Sequence, residues 1–370
     1  MTIAVFHNFP AGGGKRTVYE QVKGLLARGH QVHVFELTNP DADIFDLRSL
    51  GCPVTTLPFD IQGHWPGPLA RLHSDLKNFV LLPLVHRRIA QAIHAQAYQV
   101  ALIHPDKYTE SPFILHFLKV PHVYHCHELL RLGYEPELAF HEKVSGPKKL
   151  YELLTRRVRV FIDRSNARAA RQIITNSRFI QAKIASAYGR RSTICYSGVD
   201  PRVFRPQAPK SPKILFMGQR NFIGGFNFVQ DIMALLPKTH LALQVFGFPH
   251  GRPDTKNDRV LARAYSSSLA TLCVSYHEPF GLKVLESLAC GTPVLAVNAG
   301  GYRESVVSGH TGWLLPRNAP AFAQKIRYLL THPRAAVAMG HAGRAHVLKF
   351  WTWTRHLNQL DSILTHAAQS

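Results

Sequence analysis

Along this chain, short continuous apolar runs alternate with stretches whose apolar residues recur every three or four positions. The runs at 3–6, 32–37, 100–103 and 122–125 predict strands, and the periodic stretches at 18–27 and 77–97 predict helices between them. Such βαβ alternation implies a parallel sheet with helices on both faces. Leu150, Leu153, Leu154, Val158, Phe161 and Ile162 keep helical spacing, with Arg157, Arg164, Arg168 and Arg171 expected on other faces. A strand at 172–175 follows, and Ser177 is the expected N-cap of a helix running through Tyr188.

The pattern then stops. Residues 197–212 have no periodicity and hold Pro201, Pro206, Pro209 and Pro212, so they read as an interdomain connector. Beyond it the alternation restarts with strands at 213–217 and 241–246, and a last helix is expected over 351–367. The fold class expected is α/β, with two doubly wound, Rossmann-like domains facing across a cleft. The first would cover 1–205 and be completed by the helix at 352–370, and the second would cover 206–351. A chain of 370 residues is too long for one ordinary core, which fits that division. Ligands in such sheets bind outside the carboxyl ends of the strands.

Composition narrows the class. With 46% hydrophobic and 18% charged residues the chain reads as globular throughout. Five scattered cysteines without C-x-x-C spacing argue against a disulfide framework and for a reducing compartment. The opening residues have no basic leader and read as a first strand, and the longest membrane-like stretch, 79–85, is too short to span a bilayer. A cytoplasmic location is therefore expected. The net charge of +21 implies an anionic partner, and residues 141–191 alone carry thirteen Lys/Arg against three Asp/Glu. Aromatics do not interleave with those basic residues, so nucleic acid is not the expected partner. The segment 143–171 is instead a candidate for docking to an anionic membrane surface, and the location is then peripheral at the inner face.

The most informative segment is 276–315, where Glu278 and Glu286 lie eight positions apart across a Pro-Phe-Gly turn and the start of a helix. Backbone N–H groups at a helix N-terminus suit a diphosphate, and a carboxylate further in suits sugar hydroxyls. Taken alone, the same pattern also describes a helix start with Glu278 against the dipole and Glu286 facing solvent. Gly12-Gly13-Gly14, between a strand and a helix, admits close approach of a phosphate or sugar, or makes a plain tight turn. Lys15 does not make it a P-loop, because no Ser/Thr follows and the upstream glycine is missing. His125 and His127 end a strand. A zinc reading of His125-Cys126-His127 fails at this level, since neighbours on a strand face opposite ways and no further ligand pair is suitably spaced.

EPFGLKVLESLACGTPVLAVNAGGYRESVVSGHTGWLL resembles the signature of the retaining glycosyltransferases of family 4, which have the GT-B fold. HNFPAGGGKRTVYEQVKGLLARGHQVHVF, VYHCHELLRLGYE and NSRFIQAKIASAYGRRSTICYSGVDPRVFRP resemble its N-terminal glycine loop, its "YCHEPxR" segment and its interdomain segment, in the family's order. The resemblance implies a hexosyltransferase using a nucleoside diphosphate sugar of UDP or GDP type. Its acceptor would be a glycan or a lipid-linked molecule, as in cell-envelope polysaccharide synthesis. Neither a metal nor a further cofactor is implied.

Residue by residue, the resemblance gives Glu286 to the ribose hydroxyls and Glu278 to the donor sugar and its leaving group. Phe280, Gly281 and Leu282 supply turn amides, Gly13 and Gly14 lie near the diphosphate, and His127 sits beside the reacting carbon. Glu128 and Arg131 orient His127 or bind an anionic acceptor. The chain departs from the family at its phosphate clamp. Where the family has Gly-Arg and a Lys five residues later, Gln219 follows Gly218, Arg220 is one place late and position 224 is glycine. Arg220 is the expected substitute, with Lys283 or Arg303 adding charge. Two other readings remain open: an epimerase or hydrolase of nucleotide sugars on the same fold, and a degenerate protein that binds without turnover.

Overall fold

The computed structural model describes residues 1–39, 41, 43–67, 69–135, 146–237, 241–247 and 257–369; of the basic segment expected at 143–171, residues 143–145 lie outside them. Two compact units emerge. The first comprises Met1–Asn176, Ile180–Cys195 and Leu357–Ser370, and the second comprises Ser177–Phe179 and Tyr196–His356. The change of unit at Cys195/Tyr196 falls before the expected boundary at 205/206, so the proline-rich connector belongs wholly to the second unit. It is anchored there because Val199 N–H donates to the Trp351 carbonyl at 3.0 Å.

The first unit holds a seven-stranded parallel sheet in the order β3-β2-β1-β4-β5-β6-β7. Its strands are β1 (Thr2–Asn8), β2 (Gln31–Leu37), β3 (Val54–Leu57), β4 (Val100–Asp106), β5 (His122–Cys126), β6 (Gln172–Thr175) and β7 (Thr193–Ile194). The interior strand β1 pairs Ile3 with Val32 on one side and with Val100 on the other. Ile3, Val5, Val34, Val100, Leu102 and Val123 are fully or nearly fully buried, and the helix Gly13–Ala27 covers them with Val18, Val22 and Leu25. The terminal helix Trp353–Gln369 adds Leu360 and Leu364 to the same core. Its residues from Leu357 onward belong to the first unit, rather than from 352.

The second unit holds a five-stranded parallel sheet in the order β12-β11-β10-β8-β9. These are β8 (Lys213–Met217), β9 (Ala242–Phe246), β10 (Ala270–Cys273), β11 (Val294–Val297) and β12 (Gly312–Leu315). Strands β10 and β11 are buried along their whole length, as parallel strands covered on both faces must be.

Three local expectations change. The first helix starts at Gly13 rather than 18, because its first turn is glycine and charge and carries no apolar period. The helix expected at 77–97 is a π-helical turn at Lys77–Leu81 followed by Leu82–His94, and a further helix, Leu69–Leu76, precedes it. Pro83 has no N–H to continue the ladder, and the widened turn just before it takes up the fault. The N–H groups of Arg178 and Phe179, which open the helix Arg178–Tyr188, donate to the two carboxylate oxygens of Glu304 at 3.0 Å each. The Ser177 hydroxyl, expected as their cap, donates to the Pro279 carbonyl at 2.6 Å.

The helix Pro147–Ala169 departs from its expected facing. Leu150, Leu153, Leu154, Val158 and Phe161 are all exposed, Phe161 by 73%. Arg157, Arg164 and Arg168 share that exposed stripe instead of occupying other faces. Among the described residues no helix is long and apolar enough to cross a membrane.

Candidate functional site

In the second unit, the segment between β10 and the helix Leu282–Ala289 brings both glutamates into defined surroundings. Gly281 caps that helix with φ 93°, and a Cβ on it would lie 2.8 Å from the Tyr302 ring, so both backbone and packing require glycine. The Gly-Gly turn after β11 closes on the same loop. Gly301 N–H donates to the Glu278 carbonyl at 2.9 Å, and a Cβ on Gly301 would lie 2.5 Å from the Phe280 Cα. The Phe280 side chain is buried near Tyr196 and Trp351, with ring centroids 6.0 and 5.7 Å away, so it anchors the turn. At the first residues of the helix, around Leu282, backbone N–H groups have no acceptor within the helix.

Glu286 is buried, at 6% exposure, so a solvent-facing residue is excluded. Its Oε2 accepts from the Tyr265 hydroxyl at 2.9 Å, and Tyr265 stands on the helix Asp258–Ser267. Burial, together with the adjacent carboxylate charge, pushes the Tyr265 phenol well up, so it remains a donor to Glu286 at neutral pH.

Glu278 is half-buried. Its Oε2 lies 3.1 Å from Lys283 Nζ and accepts from the Tyr302 hydroxyl at 3.2 Å, and Lys283 donates to the Ser275 hydroxyl at 2.7 Å. Burial pulls the Lys283 ammonium down, but the Glu278 carboxylate outweighs it and holds it above its ordinary value. Lys283, expected to supplement the phosphate clamp, is thus committed to Glu278. The other supplement, Arg303, donates to the carbonyl and side chain of Asn298 at 2.8–3.1 Å.

Arg220 is exposed and packs its guanidinium 5.9 Å from the Phe226 ring centre. Position 224 is closed. A Cβ on Gly224 would lie 2.1 Å from the Gln219 carbonyl oxygen, and one on Gly225, at φ 79°, would lie 2.4 Å from the Val274 carbonyl oxygen. The loop is pulled onto β10 by Tyr276 N–H donating to the Ile223 carbonyl and by the Phe222 and Tyr276 rings stacked at 4.5 Å. On Tyr276 lies the Arg317 guanidinium, 3.6 Å from the ring centre and donating to the Val274 carbonyl at 2.7 Å. Local sequence gave no signal for Arg317, Tyr265 or Tyr302, which meet the loop only through the fold.

In the first unit, Gly12 has φ 153° and open space where a side chain would stand. Gly13 is the exposed first residue of its helix. Gly14 is held to glycine by Phe9, whose ring would meet a Cβ at 2.7 Å. The same ring lies edge-on to His127 at 5.0 Å, so Phe9 brings the glycine turn and His127 together. Lys15 is buried and donates to the Asp41 carbonyl at 2.6 Å, which accounts for its failure as a P-loop lysine. Arg131 pairs with Glu135 at 3.2 Å, and Lys183 shares that carboxylate. Glu128 is half-buried, and its carbonyl accepts from the Cys126 thiol at 3.1 Å. His127 follows β5 and stands beside His125 and His104.

Residues 11–203 match the family model described as Glycosyltransferase Family 4, and residues 247–346 match that described as Glycosyl transferases group 1. The chain belongs to glycosyltransferase family 4. Among curated relatives, it is 36% identical over 105 residues to the D-inositol 3-phosphate glycosyltransferase of Streptomyces bingchenggensis, which is 28% of this chain and 23% of the relative. It is 33% identical over 132 residues to the glycogen synthase of Mycobacterium tuberculosis, 35% of this chain and 31% of that protein. The matched stretches thus span a third or less of these relatives. Solved structures align over nearly the whole chain and establish the GT-B fold. Sucrose-phosphate synthase from Thermosynechococcus elongatus aligns with TM-score 0.75 at 22% identity, covering 99% of this chain and 98% of that one. Anabaena Alr3699/HepE in complex with UDP-glucose aligns with TM-score 0.74 at 17% identity, covering 99% and 100%.

Proposed function

We propose that this family 4 member is a retaining hexosyltransferase that uses a nucleoside diphosphate sugar of UDP or GDP type. The observation that carries the reading is Glu286: a buried carboxylate, oriented by Tyr265, in the motif position that binds ribose. A carboxylate fixed in this way accepts a hydrogen bond from a diol without first losing rotamer freedom. In this reading the helix-start amides at Phe280, Gly281 and Leu282 take the diphosphate, with Arg220 as their cation. Glu278 holds the donor sugar and His127 stands at the reacting carbon. The first unit takes the acceptor, a glycan or lipid-linked molecule, and the second takes the donor.

A thermal-shift panel of UDP-, GDP- and ADP-sugars on the wild type and on Glu286→Gln tests the donor site. One nucleotide class stabilises the wild type and loses its effect in the variant. Equal responses in both proteins, or none in the wild type, overturn the assignment. Turnover with a responding donor, followed by the anomeric configuration of the product, separates a retaining transferase from a hydrolase or an inactive binder. The closed position 224 favours that inactive binder as the second reading, and a nucleotide shift without turnover across acceptors would establish it.

The exposed stripe of the helix Pro147–Ala169 supports a peripheral membrane location. Leucines and Phe161 interspersed with arginines match an interfacial helix on an anionic leaflet, where each basic residue adds about 1 kcal/mol. Phe161→Asp should abolish salt-sensitive binding to vesicles containing phosphatidylglycerol without changing the response to nucleotide. Unchanged vesicle binding rules this surface out.

A further inference from the structure

The registers of β4 and β5 put three imidazoles on one face of the first sheet. Ala101, Leu102 and Ile103 pair with His122, Val123 and Tyr124, so the next step sets His104 opposite His125. His127 lies two residues on and returns to the same side. His104 and His125 are fully buried and His127 nearly so. One ligand atom from each lies within 4.8 Å of both others, and His104 Nδ1 is 3.1 Å from His127 Nε2. Sequence spacing offers no further ligand to His125-Cys126-His127, because the third comes from another strand, twenty-one residues before His125, where local spacing cannot announce it.

We propose that His104, His125 and His127 form a binding site for one divalent transition-metal ion, Zn2+ foremost. Zinc takes imidazole nitrogens at about 2.0–2.1 Å, and tetrahedral geometry then sets them about 3.3 Å apart, close to the spacing of His104 and His127. Three neutral imidazoles are a donor set that favours zinc, copper or nickel over magnesium or calcium, and they leave a fourth position for water or another oxygen ligand. Without an ion, the 3.1 Å contact is a hydrogen bond sharing one proton, and metal binding moves that proton to the far nitrogen of one ring.

Gln21 supplies the outer support. Its amide nitrogen Nε2 lies 3.1 Å from His125 Nδ1; metal binding through His125 Nε2 requires the amide to turn over, so that its oxygen accepts from Nδ1–H. Phe9, edge-on to His127, gives the site an apolar wall. This site stands on the three histidines alone and does not rest on the proposed transferase, but the two share His127, so an ion held here takes that imidazole away from a donor sugar.

The test is metal binding by the full chain after chelator treatment. One Co2+ per chain should give the visible ligand-field absorption of a four-coordinate nitrogen site, and Zn2+ should displace it. His104→Ala and His125→Ala each remove the signal, and Gln21→Leu weakens binding by about tenfold. With 22 histidines in the chain, adventitious surface binding is the competing result. His64→Ala, in the exposed pair with His73, must therefore leave the signal unchanged. X-ray absorption at the zinc edge of the wild type reads the ligands without any variant, and should give three imidazoles. Binding that survives His104→Ala in a folded protein, or a zinc edge with fewer than three imidazoles, overturns the site.

Discussion

Lys283 Nζ lies 3.1 Å from Oε2 of Glu278, five residues earlier in the chain, and the helix start at Gly281 falls between them. The pair neutralises a carboxylate beside the helix N-terminus. On the proposed donor site, that carboxylate would otherwise repel the diphosphate, which makes Lys283 the residue to test.

Removing one partner should be worse than removing both. Lys283→Met leaves Glu278 charged and poorly solvated, and is expected to weaken nucleotide-sugar binding by about tenfold and to cost about 2 kcal/mol of stability. Lys283→Met combined with Glu278→Gln should recover part of the stability, with a coupling of about 1–2 kcal/mol in a double-mutant cycle read by thermal melting. Additive losses would mean that the two side chains act separately.

Gly224 fixes a second outcome. Restoring the family's lysine as Gly224→Lys drives a Cβ into the Gln219 carbonyl at 2.1 Å, so the loop must rebuild before any ammonium reaches a phosphate. The variant should lower the melting temperature, at a cost of about 2 kcal/mol, and should not raise turnover. Higher turnover at an unchanged melting temperature would show that the loop relaxes freely and that only a cation was missing.

Legibility in the sequence followed the range of the interactions. Seven strands were readable because their apolar runs are local, whereas β3 and the two-residue β7 are short edge strands with little apolar content, and the four-residue β10 and β12 were not singled out. Glu278 and Glu286 were readable as a pair because their spacing is set within one turn and one helix. Tyr265 on Glu286, Tyr302 on Glu278 and His104 beside His127 come from other elements, and no residue period encodes such meetings. Leu150, Leu153, Leu154 and Phe161 teach the opposite lesson. Their helical period was read correctly, but period alone does not say whether a stripe meets a core or solvent.

Glu36 carries the pH prediction. Burial raises its carboxyl pKa, but His7, with Nε2 3.5 Å from Oε2, and Arg48, at 2.8 Å, outweigh burial and hold it down to about 2. A carboxyl whose folded pKa lies below its unfolded value near 4.5 contributes stability that is fully present above about 4.5. That contribution is lost as pH falls toward 2, because the unfolded chain takes up the proton first. Undiscounted, the shift corresponds to about 3 kcal/mol, and screening at the half-exposed Arg48 lowers it to about 2 kcal/mol. Glu36→Gln should therefore melt lower than the wild type at pH 7, and the two melting curves should converge between about pH 4.5 and 2. Melting temperatures measured across that window decide it. A difference that stays constant down to pH 2 would mean that the stabilisation by Glu36 does not depend on its charge.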